Sequence, residues 1–281
     1  MAMFNCFRAD LYRLLHGKAL YITLITFLLL IAIQVLAGAS GSIGVSIGGG
    51  TTSNLAGDKL FPALTPGKAF FLATLQFQTL ILFGLVLIYL VAAADFTSGS
   101  AQNTIAAGLS RSRYYLSKLV TSFVLIELFY LAALLLGVLI GIIAGGASIA
   151  SASIASTSAT GSGGLLEFTV PASLYAIGVQ SLMALTIASV GTAMVMITRK
   201  GTALITSYLI FFIGMMIVLF GLQQQTHFEF LQFDFITGAQ TAASIAFQPF
   251  LRVARLLCVI AVYLAGSLAL GMAIFHRAEI K

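Results

Sequence analysis

The chain has 281 residues, 60% of them hydrophobic and only 8% charged, and its formal net charge is +6 at pH 7. Soluble domains carry about a quarter charged residues, so the composition excludes an ordinary soluble domain and predicts an integral membrane protein. The two cysteines, Cys6 and Cys258, lie far apart and outside any CxxC or Cys/His motif. This spacing predicts neither a disulfide framework nor a metal site.

The first segment is predicted to form an amphipathic helix at residues 3–17 that lies on the inner membrane surface. Its apolar side carries Phe4, Phe7, Leu11, Leu14 and Leu15, and its other faces carry Arg8, Asp10 and Arg13. A cleaved signal peptide is the alternative, since AGA at 37–39 resembles a cleavage site. The apolar run at 20–36 is longer than the roughly 7–15 residues of a signal peptide core, so we expect the segment to be retained.

Six long apolar runs follow, and each is long enough for a helix that crosses the bilayer, which needs about 20 residues. The predicted spans cover residues 19–38, 70–94, 116–145, 173–197, 202–222 and 253–275. The runs are apolar on all sides, which favours helices over the alternating strands of a membrane barrel. All four prolines fall in connections or at their edges, so six unbroken helices are predicted. We therefore expect an all-α fold in which residues 1–281 form one transmembrane domain.

The basic residues predict the orientation of these spans. With the N-terminus inside, ten of the 14 lysines and arginines lie on the inner side, which favours an N-in, C-in topology. The inner ones are Arg8, Arg13, Lys18, Arg111, Arg113, Lys118, Arg199, Lys200, Arg277 and Lys281, and the outer ones are Lys59, Lys68, Arg252 and Arg255. Charge placed in this way is typical of cytoplasmic loops, so no nucleic-acid partner is expected.

Two fragments resemble catalytic or nucleotide motifs but lack their context. GASG at 38–41 matches the nucleophile motif of intramembrane rhomboid proteases, yet no histidine falls inside a predicted span to serve as the base. TPGK at 65–68 lacks the first glycine and the final Ser or Thr of a phosphate-binding loop. The sequence therefore gives no positive indication of enzyme activity, of a metal site or of a bound cofactor in this chain.

Glu127 is the one clear ionisable residue well inside a predicted span, about 13 Å along the helix from Lys118. An intramembrane carboxylate suggests a place on a substrate path or a proton carrier. The alternative is a structural hydrogen bond to Tyr130 or to a hydroxyl on another helix, such as Thr186 or Ser189. A single carboxylate without a basic partner favours this structural alternative over a proton relay.

Arg252 and Arg255 lie at the predicted outer start of the sixth span. Because they are three residues apart, they share one helical face. They could contact lipid phosphate or an anionic part of a substrate. The alternative interpretation is that both are anchors whose charged heads reach the interface.

The connection between the second and third spans carries polar residues in a characteristic order. Asp95-Phe96 is followed by Gly99-Ser100, then by Gly108-Leu109-Ser110-Arg111, and finally by Tyr114 and Lys118. This order resembles the permease subunits of ABC-2-type ATP-binding-cassette transporters. The N-terminal helix, the six spans and the orientation also match, so the resemblance covers essentially the whole chain. Ser100 stands where threonine is usual, and Asp95 where glutamate is frequent.

The resemblance implies that residues 97–110 form a cytoplasmic coupling helix that docks on a separate ATPase subunit, which would hold ATP and magnesium. Thr97 or Ser98 could cap this helix, and the spacing of Ile105 and Leu109 predicts an apolar knob. The residues assigned to coupling are Asp95, Gly99, Ser100, Ile105, Leu109, Arg111 and Arg113. The two arginines would face acidic protein or lipid headgroups. An ordinary solvated loop is the alternative, although it would not need apolar residues at helical spacing.

The resemblance also implies a permease in the bacterial plasma membrane that pairs with a second copy or a related permease and contacts lipid. We expect it to export a peptide, an antimicrobial or another amphipathic substrate. An ion-coupled secondary transporter is the alternative, and it should show internal repeats, broken helices or several buried charges at mid-membrane. An intramembrane enzyme would need a nucleophile and a base together inside the spans.

Overall fold

The computed structural model describes residues 2–39, 66–145, 170–226 and 250–277. Within these ranges the chain is almost entirely helical and contains no strand. The helices are α1 (Ala2–His16), α2 (Lys18–Ala39), α3 (Pro66–Leu75), α4 (Phe77–Ile88), α5 (Ala94–Thr97), α6 (Ser100–Ala106), α7 (Arg111–Gly145), α8 (Val170–Thr198), α9 (Gly201–Thr226) and α10 (Phe250–Arg277), and a π-helical turn, Tyr89–Ala93, joins α4 to α5.

Six helical segments are long and apolar enough to cross a membrane, which agrees with the predicted number of spans. They are Lys18–Leu36, Thr79–Thr97, Arg111–Ile143, Ile177–Thr198, Gly201–Leu222 and Val253–Arg277. The all-α membrane fold is therefore confirmed at this level. The N-in, C-in orientation and the surface position of α1 stay predictions.

The prediction of six unbroken helices is wrong for the second span. Helix α3 ends at Leu75, Gln76 takes a turn conformation with φ −81° and ψ 11°, and α4 begins at Phe77. The N–H of Gln76 donates to the carbonyl of Ala73 at 3.1 Å, three residues back. No proline lies at this break, and Gln180 of α8 donates a hydrogen bond to the carbonyl of Thr74 beside it.

Helix α8 lies at the centre of the packing, and its residues 186–193 are all buried. Small residues allow the neighbouring elements to approach closely there. A methyl group added at Gly191 would lie 2.2 Å from Cδ1 of Ile88, and one at Gly201, the first residue of α9, would lie 2.4 Å from the ring of Tyr89. Such small-residue contacts are typical of packed membrane helices.

Within the connection predicted as one helix at 97–110, the helix is shorter and covers Ser100–Ala106. Helix α5 continues the second span to Thr97, and α6 begins after Gly99, which has φ +73°. The predicted cap by Thr97 or Ser98 is wrong, because α6 has no side-chain cap and the Thr97 hydroxyl donates to the carbonyl of Ala94 at 2.9 Å. Gly108 has φ +95°, so glycines with left-handed backbone angles bracket α6 on both sides.

Candidate functional site

A cluster of charged side chains joins three separate parts of the chain. Asp10 and Arg13 come from α1, Asp95 comes from α5, and Lys118 comes from the first turns of α7. The Lys118 ammonium donates to both carboxylate oxygens of Asp10, at 2.7 Å each, and also pairs with Asp95. Arg13 forms a second ion pair with Asp95. The cluster thus contains two acids and two bases.

Helical spacing brings these side chains to the same place. Asp10 and Arg13 are three residues apart on α1, and Tyr114 and Lys118 are four apart on α7, so each pair lies on one face of its helix. The Tyr114 hydroxyl donates to Oδ2 of Asp95 at 3.1 Å. The Arg13 guanidinium also donates to the backbone carbonyl of Val91, at 3.4 Å, in the π-helical turn. Helices α1 and α7 therefore both hold the C-terminal end of the second span.

The cluster is buried, although Arg13 lies at its edge. Lys118 is 1% exposed, Asp95 3% and Asp10 7%, whereas the side chain of Arg13 is 43% exposed. An isolated charge at such depth would be very costly, so the equal numbers of acids and bases are what allow burial. Burial raises the pKa of the Asp10 carboxyl, the nearby Asp95 charge adds to this effect, and Lys118 opposes it. Asp10 consequently takes up a proton at a higher pH than an exposed aspartate does.

An open cleft of about 480 Å³ lies between α1 and α6, above this cluster. Cys6 and Ala9 form one wall, Thr104 and Ala107 lie on the other, and Lys118 is at the base. The two walls carry small or hydroxyl side chains. The charged cluster therefore borders this cleft, and Arg13 is also partly exposed.

The coupling residues predicted from the sequence divide into different environments. Asp95 lies inside the ion cluster, Gly99 forms the turn before α6, and the Ser100 hydroxyl donates to the backbone carbonyl of Asp95 at 3.5 Å. Ile105 and Leu109 are partly buried against the chain's own apolar cluster, which includes Tyr114, Tyr115 and Phe275. The predicted apolar knob is thus largely covered by the protein itself.

The two arginines after α6 also differ. Arg111 donates to the backbone carbonyls of Phe275, at 3.4 Å, and His276, at 2.8 Å, and so binds the last turn of α10. A cation at this position is favourable, since the carboxyl end of a helix carries partial negative charge. Arg113, by contrast, is exposed. Sequence spacing predicted the same role for both residues and could not separate them.

Glu127 has a hydroxyl partner on a neighbouring helix, but not one of those predicted. Ser181 of α8 donates to Oε1 of Glu127 at 2.7 Å. The Tyr130 hydroxyl instead donates to Gln180, and Thr186 donates to the carbonyl of Leu182 in its own helix. Ser189, the other predicted partner, bonds to Ser267 of α10. The predicted hydrogen bond to a hydroxyl on another helix is therefore present, but its donor is Ser181 and none of the residues named in the prediction.

Arg252 and Arg255 both lie in the first turns of α10. Arg255 is exposed, and the side chain of Arg252 lies outside the described part of the structure. Their contact with headgroups or substrate stays a prediction.

The sequence did not indicate Asp10 and Arg13 as site residues, and Tyr114 and Lys118 entered only as parts of a motif. A signal for the cluster was nonetheless present, since the predicted topology puts Asp10, Arg13, Asp95 and Lys118 at the same membrane surface. Two acids and two bases at the ends of apolar segments are candidates for mutual pairing. The exact partners required the three-dimensional arrangement.

Neither a protein-family model nor a curated protein matches the sequence. Across the ranges that the structure describes, no three His, Cys, Asp or Glu side chains group as metal ligands.

Proposed function

We propose that this chain is the membrane-spanning permease subunit of an ABC transporter and that the connection from Ala94 to Ser110 couples it to a separate ATPase. The buried ion cluster carries the proposal. It joins the connection to α1 and to the start of α7 through paired charges. Separating such pairs without replacement costs about 3–5 kcal/mol, so a force applied to the connection moves the three elements together.

The exposed side of the connection is the surface that we assign to the ATPase. Asn103, Ala106, Ala107 and Ser110 are all exposed there, and Arg113 is exposed in the first turn of α7, directly after the connection. Small and polar side chains with one arginine suit a shallow groove with acidic residues. We assign docking to this surface and no longer to Ile105 and Leu109, because those two side chains pack partly on the chain's own apolar cluster.

In this mechanism the ATPase holds ATP and magnesium, and the permease has no catalytic role. Closure of the ATPase dimer pushes the connection, and the ion cluster passes the movement to the second and third spans, which shift between two packed arrangements. A second permease copy or a related permease completes the pathway in a bacterial plasma membrane. The cargo is a peptide, an antimicrobial or another amphipathic molecule, and this part rests on the sequence resemblance alone.

The test is affinity purification of the tagged chain from its native host. We expect a soluble ATPase to co-purify, to be identified by mass spectrometry and to hydrolyse ATP. Ala106→Arg should abolish this association, because a long charged side chain would replace a methyl group at the assigned surface. Membrane insertion and elution volume should stay unchanged, since Ala106 is exposed.

Lys200→Glu is the control, because Lys200 is an exposed residue of the other predicted inner connection. It should leave the association intact. Transport by the purified chain alone, driven only by an ion gradient, would contradict the proposal.

An ion-coupled secondary transporter is the second candidate. The break at Gln76 in the second span favours it, since interrupted helices form ion and substrate sites in such carriers. Gradient-driven transport by the purified chain, in the absence of any ATPase, would support this function.

A further inference from the structure

The break in the second span is bound to α7 and α8 by a buried polar network. Two residues before the interruption at Gln76, the carbonyl of Thr74 accepts a hydrogen bond from Nε2 of Gln180 at 3.0 Å. The Tyr130 hydroxyl in turn donates to Oε1 of Gln180. Thr74, Gln180 and Tyr130 are all buried. The network therefore satisfies both ends of the Gln180 amide in surroundings that offer no water.

Glu127 lies next to this network. It is one helical turn before Tyr130, and its partner Ser181 directly follows Gln180. An ionised carboxylate can accept about four hydrogen bonds, yet among the described residues the Ser181 hydroxyl is the one donor to Oε1. Oε2 is enclosed and has no hydrogen-bond partner in the described structure.

No basic side chain compensates the charge of this carboxylate in the described ranges. The two influences on the Glu127 carboxylate are its burial and the hydrogen bond from the Ser181 hydroxyl. From α3, α4 and α8 no described titratable group interacts with it, and on α7 the one such neighbour is Tyr130. Lys118 lies about 13 Å away along α7, on its opposite face, and is paired with Asp10 and Asp95. An ion at this depth must therefore obtain its counter-charge from elsewhere.

We propose that Glu127 and Ser181 form a binding site for a small exchangeable cation, either a proton or an alkali metal ion. The cation neutralises the carboxylate, and its release leaves a charge beside the residues that hold the broken second span. Gain or loss of this charge thus acts directly on the contact between α8 and the α3–α4 break. The site does not depend on an ATPase partner, so it goes beyond the proposed function and can fail or succeed independently of it.

Dicyclohexylcarbodiimide provides the test, because it modifies protonated carboxyl groups in apolar surroundings. Val124 and Leu131, within one turn of Glu127 on the same side of α7, are exposed, so the reagent can approach from the lipid. The full-length protein in lipid nanodiscs would be treated across a pH series and mapped by mass spectrometry. We expect modification at Glu127 at low pH and its progressive loss as the pH rises.

Two variants and one internal residue serve as controls. Glu127→Gln should lose the modification, while the ion-paired Asp95 should stay unmodified in every sample. Ser181→Ala should move the loss of modification to higher pH, because the hydroxyl stabilises the charged carboxylate. An unchanged profile in Ser181→Ala would remove Ser181 from the site.

A second arm identifies the cation. Sodium or potassium, exchanged for choline at constant pH and ionic strength, would reduce modification if the site binds a metal ion and leave it unchanged if the site binds only protons. Glu127 that is unreactive at every pH in the nanodisc, yet reactive after denaturation, would overturn the proposal. Modification that is independent of pH would also overturn it.

Discussion

At the scale of single residues, Lys118 is the most constrained charged group of the described structure. Its ammonium is almost fully enclosed and contacts two carboxylates from different helices. A buried cluster of this kind is weak evidence for added stability, since desolvation offsets much of the attraction. Removal of one partner is nevertheless costly, because the remaining charges stay buried without compensation.

Replacement of Lys118 with methionine should therefore lower the free energy of unfolding by about 3–5 kcal/mol. The measurement is thermal unfolding in detergent, followed by size-exclusion fluorescence. Lys18→Met is the matched control, because Lys18 is exposed at the start of α2. Addition of Asp10→Asn to Lys118→Met restores charge balance and should recover part of the loss. Equal stability of the two single lysine variants would show that the cluster is not held by Lys118.

At the scale of elements, the second span is built as separate pieces that other helices hold in line. Gln180 bridges the break at Gln76 to α8, and Phe77, directly after the break, packs edge-on against Tyr130 with ring centroids 5.4 Å apart. Behind the break, Ala69 and Ala73 pack closely on Gly137 of α7. The interruption is thus a fixed feature with its own partners.

Gln180→Leu should destabilise the protein by about 1–3 kcal/mol for each buried group that it leaves without a partner. Those groups are the Thr74 carbonyl and the Tyr130 hydroxyl. Tyr130→Phe removes only the second bond and should cost less. Hydrogen exchange measured at residues 70–80 should increase in Gln180→Leu and much less in Tyr130→Phe. If exchange there does not change in either variant, Gln180 does not hold the break.

At the scale of the whole molecule, the sequence predicted the six spans because each is a long apolar run, a signal that needs no tertiary information. The break at Gln76 gave no such signal, since neither proline nor glycine is present and its stabilising partner, Gln180, is about a hundred residues away. The i,i+4 spacing of Ile105 and Leu109 predicted one apolar helical face, but α6 ends at Ala106, so Leu109 lies outside the helix. The spacing also could not indicate that both side chains pack on the chain's own apolar cluster.

The orientation of the whole molecule is testable with one cysteine. Ser110→Cys would be introduced into a chain that carries Cys6→Ser and Cys258→Ser, because Ser110 is exposed. N-in topology predicts that a membrane-impermeant maleimide labels it in inside-out vesicles and not in right-side-out vesicles. Thr52→Cys, in the predicted outer connection, should give the opposite result. Labelling of Ser110→Cys in right-side-out vesicles would contradict the predicted N-in orientation.

The pairing of Asp10 with Lys118 also sets an order of events during synthesis. The two residues are 108 positions apart, so at ribosomal speed the ammonium is made roughly 5–20 s after the carboxylate. Throughout that interval Asp10 has no Lys118 to pair with, although Asp95, the partner of Arg13, is made before Lys118. The buried cluster is therefore complete only after the start of α7 has been synthesised.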